Sequence, residues 1–133
     1  MQAGDRYGRY EILSAIGEGG MGRVFRARDT TLGRDVAIKL LHRGQADAES
    51  QARMLREARA AAGISHGNAV AVFDVGETED AGPFIVMELI EGDSLRSKIG
   101  AGAVGSEQKI KWLDEIAGAL EAAHDKGVVH RDI

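Results

Sequence analysis

The sequence predicts an α+β fold built around a mostly antiparallel sheet. Short β-rich runs separated by turn residues come first, and an alanine-rich stretch then changes the apolar period to that of a helix. Two further strand-like runs and a second helical stretch follow. Because tight turns rather than long crossovers join the first strands, we expect these strands to pair antiparallel.

Five strands are predicted, over residues 10–16, 23–29, 36–41, 70–75 and 84–89. The first ends in a cluster of glycines, and a turn at residues 30–33 separates the second strand from the third. A polar turn separates the last two strands. The first three strands are therefore expected to form a meander.

Two helices are predicted. Residues 47–62 contain neither glycine nor proline, their apolar residues recur at helical spacing, and Gly63 provides a stop. A second helix begins at Ser106, which can cap it, and ends at Gly127. Its apolar stripe consists of Ile110, Leu113, Ile116, Ala117, Leu120 and Ala123.

Composition excludes several classes of protein. The 133 residues suffice for one domain or for half of a larger one, and 44% hydrophobic residues indicate a globular chain. The absence of cysteine excludes disulfides and zinc–thiolate sites, and the net charge of −4 argues against a nucleic-acid partner. No apolar run approaches the roughly 20 residues of a membrane span, and the N-terminus lacks the apolar region of a signal peptide.

Residues 17–24, Gly-Glu-Gly-Gly-Met-Gly-Arg-Val, fit the pattern G-x-G-x-x-G-x-V. Glycines allow a backbone to approach phosphate oxygens closely, although a plain turn in a chain with 18 glycines explains the same pattern. A P-loop would need Lys-Ser/Thr after the last glycine, where Arg23-Val24 stands. A dinucleotide-binding loop would open a helix, whereas a strand is predicted here.

The third strand carries a candidate phosphate ligand. Strand alternation places Ala37 and Lys39 on one face, and a lysine on the side of a glycine loop could neutralise nucleotide phosphates. The alternative is a lysine that extends to water. Glu57 on the following helix could pair with Lys39, or remain a solvated partner of Arg53.

Taken in order, these motifs resemble the protein kinase family. The resemblance rests on residues 17–24, on Val-Ala-Ile-Lys at 36–39, on Glu57 within Leu-Arg-Glu-Ala, and on His-Arg-Asp at 130–132. Residues 66–68 are similar to the family's H-P-N turn, with Gly67 in place of proline. The sequence around these motifs is most similar to bacterial serine/threonine kinases of the eukaryotic-like type, and the resemblance extends from about residue 10 to residue 133.

The resemblance implies the fold and the division of the chain. It implies a kinase-like N-lobe over about residues 10–91, with a five-stranded antiparallel sheet, one αC-type helix and the hinge. Residues 92–133 would then be the start of a helical C-lobe, truncated at the catalytic loop. The stripe of the second helix would pack on helices that this chain does not encode, so the chain alone is expected to be inactive and either poorly soluble or oligomeric.

The resemblance also implies an ATP site. Gly17, Glu18, Gly19, Gly20, Met21 and Gly22 would cover the phosphates, and Lys39 would contact the α- and β-phosphates while paired with Glu57. Val24 would pack on the adenine and Ala37 would add to the roof of its pocket, with Met87 as gatekeeper. Glu88 and Ile90 would offer backbone groups to the adenine edge, so that their side chains matter less.

Asp132 would orient the hydroxyl of a protein substrate. Arg131 would pair with a phosphorylated activation loop, and His130 would have a structural role. Mg²⁺ is expected as the second cofactor, but the family's metal ligands follow the catalytic aspartate and are absent from these residues, so no metal ligand is assigned. A cytoplasmic location is expected, and a membrane anchor beyond residue 133 stays open.

Two other functions stay open. A nucleotide-binding pseudokinase would signal without catalysis, although Lys39, Glu57 and Asp132 are all present. A naturally truncated lobe would act as an interaction partner. The downstream metal ligands would distinguish an active kinase from both.

Overall fold

The structure, a computed structural model, describes residues 1–19, 22–40, 48–80 and 82–130. Its elements in chain order are β1 (Arg6–Tyr7), β2 (Tyr10–Gly19), β3 (Gly22–Asp29), β4 (Arg34–Leu40), α1 (Ala48–Ala62), β5 (Val72–Thr78), β6 (Gly82–Met87), α2 (Leu95–Gly100) and α3 (Ser106–Asp125). Strands dominate the first part and helices the last, so the predicted α+β class is confirmed.

The strands form one antiparallel sheet in the order β1-β2-β3-β4-β6-β5. All five predicted strands are present. The sixth strand, β1, pairs Arg6 with Glu11 and Tyr7 with Tyr10. Two residues are too few to show an alternating pattern, which is why the sequence predicted five strands rather than six.

The hydrophobic core lies on one face of the sheet. On β4, Val36 and Ile38 are fully buried, and Leu40 nearly so. The same cluster includes aromatic side chains from other strands. Tyr10 of β2 and Phe84 of β6 make an edge-to-face contact with centroids 6.5 Å apart. Gly76 lies against this cluster, since a Cβ there would overlap the Phe84 ring. The cluster consists of Tyr10, Ile12, Phe25, Ala27, Val36, Ile38, Leu40, Phe84 and Val86.

A buried carboxylate holds the predicted turn at residues 30–33. Asp29 Oδ1 accepts hydrogen bonds from the backbone N–H groups of Thr31 and Leu32, both at 3.0 Å. Gly33 follows in the left-handed region, at φ +66°, and its N–H donates to the Asp29 carbonyl. Arg9 Nε lies 3.4 Å from Asp29 Oδ2, which compensates part of the buried charge. The turn fixes the register of β3 and β4.

The helix α3 ends as predicted but begins differently. Gly127 has φ +74° and donates to His124, while Val128 donates to Ala123, both at 2.9 Å, which is the Schellman arrangement. The predicted cap Ser106 is instead the first helical residue. Gly105 is the cap, because it has the extended backbone that a cap requires.

Part of the apolar stripe of α3 is exposed to solvent. The helix has no buried residue among those described, and Ile110 and Leu113 are about two-thirds exposed, at 66% and 65%. None of the helices in the described part of the chain is both long and apolar enough to cross a membrane.

Candidate functional site

The glycine-rich segment forms the hairpin between β2 and β3. Gly19 pairs with Gly22, and Gly22 has φ +142°, a conformation that L side chains rarely adopt. Gly17 lies directly opposite Val24. A Cβ at Gly17 would meet nothing within 4 Å, so no neighbour within the described chain requires glycine there. Close approach of a ligand would explain why glycine stands at this position. Gly20 and Met21 lie outside the described residues.

The strand register places the predicted residues on the face opposite the core. Lys39 is the partner of Val24 on one side and of Ile85 on the other, which forms a row with Gly17. Ala37 pairs with Met87 in the next row along the same face. The prediction that Ala37 and Lys39 share a face is therefore confirmed. This face carries the glycine hairpin at one end and the exit of β6 at the other.

Lys39 and Glu57 are not brought together. Lys39 is half-buried, whereas Glu57 is exposed on α1, and no ion pair joins them among the residues that the structure describes. Arg53, the other suggested partner of Glu57, is likewise unpaired with it in this part of the chain. Ala58 is the buried side chain of α1 among those described.

The segment after β6 leaves the sheet at the edge of this face. Met87, the last residue of β6, is half-buried beside Ala37. The N–H of Glu88 donates to the Ala71 carbonyl at 2.8 Å, and the Glu88 carboxylate accepts from the Ala71 N–H at 3.2 Å. Ile90 is 62% exposed. Within the described residues no hydrogen bond uses the Glu88 carbonyl or the Ile90 N–H, so both backbone groups are open to a ligand.

An ionic network borders the same face and was missed by the sequence analysis. Asp35 accepts from Arg28 at 2.8 Å and from Arg26 at 2.9 and 2.6 Å. The hydrogen bonds from Arg28 and then Arg26 lower the pKa of Asp35 below its usual value. Arg26 also lies 3.4 Å from Glu91. Since Arg28 and Asp35 are cross-strand partners, the register set by the turn could have predicted this network.

The last motif extends past the described residues. Arg131 and Asp132 lie outside them, and His130 is the final residue described. His66 accepts a hydrogen bond from the Asn68 N–H at 3.1 Å, and Asn68 donates to the Glu115 carbonyl at 3.3 Å. The H-x-N turn at residues 66–68 is therefore hydrogen-bonded to α3. Over the described ranges, no group of three or more His, Asp or Glu side chains is arranged to hold a metal ion.

Comparison with protein families gives a match over almost the whole chain. A family model described as "Protein kinase domain" matches residues 10–133. The serine/threonine-protein kinase PksC of Streptomyces coelicolor is 44% identical over 138 aligned residues, which cover 95% of this chain and 24% of that protein. The serine/threonine-protein kinase PrkC of Bacillus subtilis is 42% identical over 128 residues, covering 95% of this chain and 20% of its own length.

Solved structures agree with the sequence relatives. The crystal structure of the Mycobacterium tuberculosis PknI kinase domain superimposes with a TM-score of 0.87 at 26% identity, covering all of this chain and 55% of that one. The apo form of PpkA-294 gives a TM-score of 0.78 at 25% identity. The chain spans between 15% and 24% of the length of the curated relatives it matches.

Proposed function

The chain belongs to the protein kinase family, and from this premise we propose that it supplies the ATP-binding part of a serine/threonine protein kinase. The reaction would transfer the γ-phosphoryl group of Mg-ATP to a hydroxyl of a protein substrate. The segment from about residue 10 to residue 91 would form the N-lobe and hinge. The segment from about residue 92 to residue 133 would form the beginning of the C-lobe. Because ATP is the phosphoryl donor, a cytoplasmic location is proposed with it.

One observation carries this proposal. Gly17, Val24 and Lys39 form a cross-strand row on the face opposite the core. A phosphate chain lying beneath the hairpin would meet backbone N–H groups from the glycine segment and the ammonium of Lys39. A charged, half-buried lysine without an ion partner among the described residues is suited to an anionic ligand, since its desolvation is then compensated.

The adenine would occupy the other end of this face. Val24 and Ala37, which share a face of the sheet, would supply apolar contacts to one face of the adenine, and Met87 would bound the pocket. The open carbonyl of Glu88 would accept from the exocyclic amine of adenine, and the Ile90 N–H would donate to a ring nitrogen. Both contacts use backbone groups that no internal hydrogen bond occupies in the described part of the chain.

The remaining chemistry is assigned by similarity to the family. Mg²⁺ would neutralise phosphate charge, with ligands that the family places beyond the catalytic aspartate. Asp132 would hold and orient the substrate hydroxyl. Glu57 would pair with Lys39 when α1 moves toward the sheet. The exposed Ile110 and Leu113 would pack against further C-lobe helices. The chain covers only part of the length of its relatives, which supports this packing.

A transfer assay on the full-length protein tests this proposal. We expect label from [γ-³²P]ATP to appear on serine or threonine of the protein itself or of an added protein substrate, and to require Mg²⁺. ATP binding without any transfer, measured with the same preparation, would favour the pseudokinase alternative. In the described part of the chain no ion pair joins Lys39 to Glu57, which is the observation in favour of that alternative. Absence of both binding and transfer would contradict the proposal.

A further inference from the structure

The side chain of Glu88 makes a contact that the role of its backbone does not explain. Its carboxylate accepts from the Ala71 N–H at 3.2 Å, while its own N–H donates to the Ala71 carbonyl at 2.8 Å. Glu88 thus holds both backbone groups of one residue, 17 positions earlier in the chain. Both Glu88 and Ala71 are half-buried, and a hydrogen bond to a carboxylate is stronger there than at the surface.

This reciprocal contact restricts the position of the Glu88 Cα, from which the carbonyl group projects. The amide nitrogen donates directly to Ala71, and the side chain is held at its carboxylate end by the Ala71 N–H. Because the Cα lies between these two hydrogen bonds, they limit its displacement and the direction of its bond to the carbonyl carbon, while rotation about that bond is not restricted by them. The segment that follows has no comparable anchor. Ile90 is exposed, and among the described residues Glu91 forms an ion pair with Arg26, at 3.4 Å.

We propose that the Glu88 carboxylate is a positioning residue, which holds the Glu88 carbonyl in place to accept a hydrogen bond from the amino group of adenine. The inference rests on the proposed function, and it adds the origin of base selectivity. Adenine presents a donor at this edge, whereas guanine presents an oxygen acceptor. A fixed carbonyl accepts from adenine without a reorganisation cost and repels the guanine oxygen. A carbonyl whose Cα is less firmly held can shift away from the guanine oxygen, which reduces the selectivity.

The test compares ATP and GTP binding to the full-length protein. In Glu88→Ala we expect ATP to bind about tenfold more weakly, the effect of losing one well-placed hydrogen bond, and GTP binding to change by less than about twofold. Glu88→Asp keeps the charge but is one methylene too short to reach Ala71, so it is expected to behave like Glu88→Ala. Glu88→Gln keeps an acceptor and is expected to retain most of the selectivity.

Glu91→Ala is the matched control, because it removes a carboxylate of the same segment that binds no backbone N–H among the described residues. Its ATP-to-GTP affinity ratio should equal that of the unmodified protein. A purely structural role for Glu88 would lower the melting temperature and leave this ratio unchanged, and that result would overturn the inference. If the unmodified protein binds neither ATP nor GTP, the proposed function fails and the Glu88 inference with it. If it binds ATP without preferring ATP over GTP, or if Glu88→Asp prefers ATP as strongly as the unmodified protein does, only the inference fails.

Discussion

Lys39→Met is expected to lower the rate of phosphoryl transfer by the full-length protein by at least about a hundredfold. Lys39 is half-buried on the face of the sheet that carries the glycine hairpin, opposite Val24. Its ammonium is the positive charge of this row, and loss of one group that stabilises developing charge in a desolvated site costs about 10²–10³ in rate. Methionine is similar in length and apolar, so the sheet should stay intact.

Two measurements separate this effect from misfolding. The melting temperature of Lys39→Met should lie within a few degrees of that of the unmodified protein, because the lysine has no ion partner to lose among the described residues. Lys111→Met is the control, since that lysine is exposed on α3 and, within the described residues, forms an ion pair only with Glu115, at 3.9 Å. Turnover by Lys39→Met that matches this control would refute the role of Lys39.

Phe25→Ala is expected to lower the free energy of unfolding by about 3–5 kcal/mol, which is typical when a fully buried aromatic side chain is truncated. Phe25 is 1% exposed and lies in the middle of the core, on the strand that also carries Val24. Since small domains are stable by only about 5–15 kcal/mol, a large part of the kinase domain's stability would be lost. Urea denaturation, followed by tryptophan fluorescence or circular dichroism, gives the change in midpoint.

Leu32→Ala serves as the comparison for the stability experiment. Leu32 is an apolar residue at the turn between β3 and β4, and it is 58% exposed. Its truncation removes little buried surface and should change the free energy of unfolding by less than about 0.5 kcal/mol. Equal effects of the two truncations would mean that Phe25 is not at the centre of the core.

The features that were predicted correctly are those that depend on neighbours in the chain. Strand alternation has a period of two, so the shared face of Ala37 and Lys39 follows from their spacing alone. The stop at Gly127 follows from the ability of glycine to adopt a left-handed conformation. Ser106 was wrong as a cap because a shift by one residue decides which side chain reaches the first free N–H groups.

The pairing of Lys39 with Glu57 depends on distance between elements, which no local pattern encodes. The position of α1 relative to the sheet is determined by packing, and Ala58 buries only a methyl group. An exposed carboxylate gains at most about 1 kcal/mol from a surface ion pair, so such a pair alone does not hold the helix in place. The contact between Glu88 and Ala71 was missed for the same reason, since the two residues meet only when β5 and β6 pair.

The central claim, that Lys39 lies beside the phosphates of bound ATP, is tested most directly by chemical labelling. An acyl phosphate of ATP transfers its acyl group to an amine held next to the phosphate chain, forming an amide and releasing ATP. We expect mass spectrometry of the labelled full-length protein to find the amide on Lys39, with protection by excess ATP. Labelling spread over Lys98, Lys109, Lys111 and Lys126 without protection by ATP would contradict the claim.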